Sequence, residues 1–231
     1  MLWTFAAVVL AVAIGALAYG LSNPGATLLG PALVRGPETS RRVMLTFDDG
    51  PSEPYTAQIL DILRDSHVKA TFFICGASAE RYPDLVRRIR AEGHEIGNHT
   101  YSHPYLCLKT RACIAGEIDR TQDILEKITG HRPSLFRPPF GVHWFPLWGV
   151  LRERSLTMVL WSVRGYDGRL DARGITKLTL EQLHPGAIIV LHDGFEAKSA
   201  VEINRSATVR ALPAIIEGAK KAGYIFSPIA G

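Results

Sequence analysis

From residue 42 onward, short apolar runs alternate with amphipathic stretches. Apolar runs at 43–47, 69–75, 94–98, 134–137, 156–163, 187–192 and 224–227 predict strands. Between them, helical periodicity predicts helices at 54–66, 79–92, 110–129, 144–154, 175–183 and 207–222. Strands and helices in strict alternation predict a parallel α/β domain, either an open sheet or a barrel, and periodicity alone does not choose between the two. No internal repeat or low-complexity tract interrupts the pattern.

The first 40 residues follow another rule. Leu2 to Leu21 is uncharged and mostly apolar, about the 20 residues a membrane-spanning helix needs. Its length suits an uncleaved transmembrane anchor. A signal peptide is the other reading, with Ala16-Leu17-Ala18 as cleavage site, although no Lys or Arg precedes the apolar core. Arg35, Arg41 and Arg42 follow the segment, and positive-inside counting would hold the domain in the cytoplasm. Arg41 and Arg42 fall within the folded domain, which weakens that count. Residues 22–40 carry three Gly and three Pro without periodicity and read as a linker. The expected organisation is an anchor or signal at 1–21, a linker at 22–40 and a catalytic domain at 41–231.

Composition narrows the classes. The 231 residues, 47% apolar and 21% charged, describe an ordinary globular chain that can bury a sizeable core. The net charge of +4 is modest and the basic residues are scattered, so a nucleic-acid partner is not expected. Cys75, Cys107 and Cys113 make no disulfide framework or Cys-x-x-Cys site. Whether Cys107 and Cys113 pair stays open.

Candidate chemistry gathers at the carboxyl ends of the predicted strands, where α/β folds place their sites. Asp48 and Asp49 end the first strand, and His99 and His103 follow the third. Arg137 ends the fourth, Asp167 follows the fifth, and His192-Asp193 ends the sixth. Neighbouring strand residues point to opposite faces, so Asp48 and Asp49 are expected to face different directions. One carboxylate would then hold a metal and the other take a proton. His99 and His103 stand four apart, which predicts one face of a helical turn and a shared ion. With a carboxylate they make a site of two imidazoles and one carboxylate, leaving positions open for water and substrate. His67, His94, His131, His143 and His184 read as ordinary loop, helix-end or strand-start residues.

Four segments carry a resemblance: Thr46-Phe47-Asp48-Asp49-Gly50, His99-Thr100-Tyr101-Ser102-His103, Arg137-Pro138-Pro139-Phe140-Gly141 and Leu191-His192-Asp193. In order and spacing across 42–227 they resemble successive motifs of the polysaccharide deacetylase family (carbohydrate esterase family 4, the NodB homology domain). The resemblance implies a distorted (β/α) barrel of about seven parallel strands. It also implies metal-dependent deacetylation, usually of N-acetylated sugars. Position by position, Asp49, His99 and His103 would bind the metal and Asp48 would be the general base toward metal-activated water. His192 would be the general acid, Arg137 would orient Asp48, and Asp167 would orient His192. The Phe140 backbone N–H, where the family usually has Tyr, would help hold the oxyanion.

The fifth motif departs from type. The family commonly shows Asp-x-x-Asp-Trp; here Arg164 replaces the first Asp and Gly168 the Trp, while Asp167 keeps its place. That puts the substrate wall in doubt rather than the chemistry. Trp161 and Trp144, with Trp148 as another candidate, would supply a replacement wall, and Leu191 would line the acetyl pocket by the same analogy. Asp193 reads as a loop cap.

The expected activity is removal of N-acetyl groups from an N-acetylhexosamine-containing glycan, peptidoglycan or a chitin-like oligosaccharide. O-acetyl ester hydrolysis on xylan-like polymers and small-amide hydrolysis stay open as alternatives; a sugar-binding relic is disfavoured because Asp48 and His192 are both present. The expected cofactor is one divalent metal, zinc first, with Co, Ni or Mn possible. The expected partners are the acetylated glycan and, through the N-terminal segment, the membrane. The expected location is membrane-anchored with the catalytic domain outside the cytoplasm, in the periplasm or at the cell surface, or secreted if cleavage follows Ala18.

Overall fold

Side chains along the first strand alternate between two environments. In the computed structural model, which describes residue 15 and residues 30–142, 144–194 and 204–230, β1 runs Arg42–Asp48. Val43, Leu45 and Phe47 face outward into a core shared with the helices, while Met44 belongs to a separate cluster inside the curled sheet. Seven further strands follow among the described residues: β2 (Thr71–Ile74), β3 (Glu95–Asn98), β4 (Leu135–Phe136), β5 (Thr157–Met158), β6 (Val163–Arg164), β7 (Ile188–His192) and β8 (Ile225–Phe226). All pairings are parallel, in the order β5-β4-β3-β2-β1-β7-β6, and β8 pairs with the start of β1. This is a parallel α/β half-barrel, which bears out the expected distorted (β/α) barrel.

The expected strand at 156–163 splits into β5 and β6, which lie at opposite ends of the strand order. The five residue steps from Met158 to Val163 reach at most about 17 Å, so the sheet must curl until its two ends almost meet. Leu33 closes part of the gap by pairing with Val159, and Arg35 pairs with Ala187. The end of the expected linker 22–40 is therefore built into the sheet, since an unpaired gap edge would leave backbone donors exposed. The apolar segment 1–21 lies outside the described residues, Gly15 apart, as do Ala18 and His143.

The helices cover the outer face. They are α1 (Tyr55–Asp65), α2 (Gly76–Arg81), α3 (Pro83–Ala91), α4 (Arg111–Thr129), α5 (Phe145–Glu153), α6 (Ala172–Glu181) and α7 (Ser206–Lys221). Ile59, Leu60 and Leu63 of α1 share one core with Ile215 and Ile216 of α7 and the outward residues of β1 and β7. The expected helix at 79–92 is two helices, because Pro83 lacks the N–H that would continue the first. Thr110 caps α4 by accepting from the Cys113 N–H, and Gly130 ends it at φ 68°. Cys75, Cys107 and Cys113 are all free thiols.

Candidate active site

Parallel register brings the strand ends together before any side chain is considered. Asp48 pairs directly with His192 across β1 and β7, and Asn98 pairs with Phe136, which sets His99 beside Arg137. A cleft of about 240 Å³ opens at these ends, and Asp48, Asp49, His99, His103, Asp167 and His192 all line it.

Asp48 and Asp49 reach the same cleft, contrary to the alternation expected of them. The strand stops at Asp48 and Asp49 adopts φ 74°, a left-handed conformation that swings its side chain back beside its neighbour's. The backbone there is tied to β7, where the Asp193 N–H donates to the Asp48 carbonyl at 3.2 Å.

Asp48 is held from below. Arg137 is fully buried inside the curled sheet, with its guanidinium 4.0 Å from the Phe73 ring. One of its N–H groups donates to Asp48 Oδ1 at 2.6 Å and to Thr46 Oγ1 at 2.7 Å. The others donate to the Leu160 carbonyl at 3.0 Å and the Val159 carbonyl at 3.3 Å. Burial pulls the guanidinium pKa down and the Asp48 carboxylate works against it.

Asp49, His99 and His103 converge, with ligating atoms within 4.8 Å of one another. Asp49 Oδ1 lies 3.3 Å from His99 Nε2 and 3.1 Å from His103 Nε2. The two imidazoles do not share a helical turn, as their spacing suggested. Residues 99–104 form a loop in which Thr100 (φ 67°) and His103 (φ 52°) are left-handed. Glu117 of α4 holds that loop, accepting from the Tyr101 and Ser102 N–H groups at 3.0 and 2.8 Å and from the Ser102 hydroxyl at 2.8 Å. Asn98 Oδ1 accepts from the Thr100 N–H at 2.9 Å.

The donor set fits a divalent cation. His99 Nδ1 lies 2.7 Å from the Arg137 carbonyl, which can only accept, so Nδ1 carries the proton. A neutral His99 then turns a lone pair on Nε2 toward a carboxylate oxygen, an arrangement that needs a cation or a second proton between them. Burial would raise the Asp49 carboxyl, but the close His103 and His99 imidazoles outweigh it and hold the group well below the usual carboxylate range.

His192 stands opposite. Its Nδ1 is 2.7 Å from Asp167 Oδ1, and its own N–H donates to Asp167 Oδ2 at 2.7 Å. Thr208 of α7 adds a hydroxyl to Asp167 Oδ2 at 2.8 Å. Burial lowers the imidazole pKa, but the Asp167 charge and hydrogen bond overcome it and push it up to about 9. Asp167 is displaced the other way: burial raises it, and the His192 charge brings it below the ordinary value.

The predicted substrate wall is partly corrected. Trp161 lines the cleft, with Phe140, Arg164, Tyr166 and Gly168. Leu191 does not: two-residue alternation on β7 turns Val190 and His192 to the cleft and Leu191 outward, where it packs against Gly165 in the helix-facing core. Trp144 and Trp148 are also absent from the lining; Trp144 packs edge-on against Phe145. Phe140, at φ 59°, sets its ring 4.7 Å from that of His103. Asp193 behaves as a loop cap, accepting from Thr56 Oγ1 at 2.6 Å, and burial raises its carboxyl to about 7.

Arg205 was not legible from sequence. It is buried, donates to the Gly194 carbonyl at 2.6 Å, and places Nη2 3.4 Å from Asp49 Oδ2. It leads into α7 with no motif around it, and only the fold carries it to the cleft.

The curled parallel sheet carries at its strand ends a buried carboxylate–imidazole cluster with the donor set of a divalent-metal site and, beside it, a second acid–base pair, the layout of an α/β half-barrel with its site at the carboxyl ends of the strands. Residues 35–159 match the family model described as polysaccharide deacetylase. The chain is 41% identical over 158 residues to a peptidoglycan-N-acetylglucosamine deacetylase of Bacillus cereus, covering 68% of this chain and 58% of that protein. It is 35% identical over 196 residues to a chitooligosaccharide deacetylase of Bradyrhizobium sp., covering 82% of this chain and 90% of the relative. The fold matches a crystal structure of a peptidoglycan N-acetylglucosamine deacetylase, in complex with an N-oxidanyl-benzamide, with a TM-score of 0.79 and 36% identity over 86% of this chain and 90% of that one. The chain belongs to the polysaccharide deacetylase family. It spans less than two thirds of the Bacillus cereus protein's length.

Proposed function

We propose that this chain is a metal-dependent hydrolase that removes N-acetyl groups from an N-acetylhexosamine-containing glycan. The observation that carries the reading is the opening of the Asp49–His99–His103 cluster into the same cleft as the Asp48–Arg137 and His192–Asp167 pairs. The relatives, a peptidoglycan-N-acetylglucosamine deacetylase and a chitooligosaccharide deacetylase, support the same substrate class.

Each residue has a role in this reading. Asp48, aimed by Arg137, accepts the proton of the attacking water. His192 keeps Nδ1–H on Asp167 and delivers a proton from Nε2 to the leaving amine, which an imidazolium can do at neutral pH. The Phe140 main-chain N–H stabilises the developing oxyanion. Asp49, His99 and His103 would hold the divalent ion, zinc before Co, Ni or Mn for this donor set, and when bound it would polarise the amide carbonyl and acidify water. Trp161 offers an aromatic face to a sugar ring. The uncharged stretch 2–21 supports a membrane tether with the domain outside the cytoplasm, which would place it near envelope glycan. Among the described residues no helix is long and apolar enough to cross a membrane.

The test is acetate release from N-acetylglucosamine oligomers, peptidoglycan and acetyl-xylan, after stripping and restoring divalent metals. Metal-restored release from the N-acetylated substrates is expected. No release from any substrate with metal demonstrably bound would overturn the proposal, and release from acetyl-xylan alone would replace it with ester hydrolysis. Protease accessibility of the domain in intact cells tests its location.

A further inference from the structure

Among the described residues, the charges around the cleft do not all find a partner of opposite sign. Asp48 is paired with Arg137, Asp167 with His192, and Asp49 with its two histidines and Arg205. Arg205 also donates to the Gly194 carbonyl. Two guanidinium groups are left over. Arg164 and Arg169 both line the cleft and are exposed, and neither meets a carboxylate among the described residues.

Arg164 is nonetheless held. Its guanidinium lies 4.8 Å from the Tyr166 ring centroid and 5.9 Å from that of Trp161, so stacking occupies its faces and leaves the N–H edge for a ligand. Arg169 is tied to the same turn by its N–H, which donates to the Tyr166 carbonyl at 2.9 Å. Between them Gly168 leaves open floor: a β-carbon there would meet only Arg205 Nη1, at 3.7 Å. A neutral sugar gains little from two such cations, whereas a carboxylate accepts two parallel hydrogen bonds from a guanidinium fork.

We propose that Arg164 and Arg169 form a carboxylate-binding subsite beside the reaction centre, so that the preferred glycan carries an acidic substituent on the reacting N-acetylhexosamine or its neighbour. This rests on the deacetylase reading above and deepens it. The acid can be a lactyl ether carboxylate on the sugar or a uronic acid in the chain.

The test uses the metal-loaded full chain and matched oligosaccharides. One set is N-acetylglucosamine alone, one has alternate residues bearing a lactyl carboxylate, one has that carboxylate converted to its amide, and one alternates with glucuronic acid. At least one carboxylate-bearing oligomer is expected to exceed its neutral counterpart about tenfold or more in kcat/KM, mainly through KM, and which one does so identifies the source of the acid. Arg164→Gln and Arg169→Gln should lower kcat/KM more on the acidic than on the neutral oligomer, and added salt should narrow the gap. Equal kcat/KM for carboxylate and amide, or variants that impair acidic and neutral substrates alike, would overturn the subsite. Calorimetric binding of the same oligosaccharides reads the subsite even where no acetate is released. Tighter binding of the acid than of the amide, lost in the variants, would then uphold the subsite while the activity reading fails.

Discussion

The two walls of the cleft are built on different terms. One consists of the ends of β1, β3 and β4, with Asp48, Asp49, His99, His103 and Arg137 all buried. The other is the turn after β6, where Arg164, Tyr166, Gly168 and Arg169 are exposed. On the first wall almost every polar atom is committed to a partner, the buried Nδ1 of His103 being an exception. On the second, Arg164 and Arg169 meet no carboxylate among the described residues. The match to the family model ends at residue 159, before the second wall begins. Burial makes each charge of the first wall depend on a neighbour, so altering one endangers both fold and chemistry. An exposed turn carries no such dependence and is free to vary with the substrate.

The largest effect should come from Asp48→Asn. Its kcat is expected to fall by about 10²–10⁴ or more, with the bound-metal stoichiometry unchanged, as acetate release and metal analysis would read. Persistent turnover would remove Asp48 as the base. Arg137→Ala leaves the buried Asp48 carboxylate without its cation and should cost about 3–5 kcal/mol in urea unfolding. A cost near zero would mean the first wall is less interdependent than its burial implies.

Glu117→Gln acts at one remove, by loosening the 99–103 loop. Zinc affinity is expected to drop about 10–100-fold in a competition titration while the fold persists. An unchanged affinity would show that the loop positions its histidines without α4.

The His192–Asp167 pair joins the two walls and titrates. In metal-free protein, NMR should place His192 near pH 9, and Asp167→Asn should bring it down toward its unperturbed value of about 6.5. Because the folded-state pKa is raised, the stability this pair contributes is full below about pH 6.5 and is lost as pH rises through about 9. Wild type should therefore lose stability across that window and the variant should not.

The smallest effect belongs to the second wall. Arg169→Ala should change unfolding free energy by no more than about 0.5 kcal/mol, since among the described residues the exposed side chain has no carboxylate partner. A larger loss would make that wall structural and end the contrast.

Much of the first wall was legible because strand ends announce themselves: an apolar run stops, and Asp48, His99, Arg137 and His192 each follow one. What misled was local geometry inferred from spacing. The four-residue interval between His99 and His103 suggested a helical turn, whereas Glu117 and Asn98 hold a loop with two left-handed residues. Pro83 was a visible signal for the split in the expected helix 79–92. Glu117, Thr208 and Arg205 carried no signal, because the site residues they hold (Ser102, Asp167 and Asp49) lie 15 or more positions away and only packing introduces them.

Adjacent aspartates, two histidines, an arginine and a distant His–Asp pair were set by sequence, since residue chemistry and the order of strands do not depend on packing. Which way each side chain points was decided by tertiary structure. Asp49 joins Asp48 because its backbone turns left-handed where β1 ends, and Leu191 leaves the cleft because its place on β7 turns it to the helices. That Arg164 and Arg169 meet no carboxylate among the described residues was also beyond sequence. A charge is paired or free only with respect to neighbours in space, and those neighbours are assigned when the sheet curls.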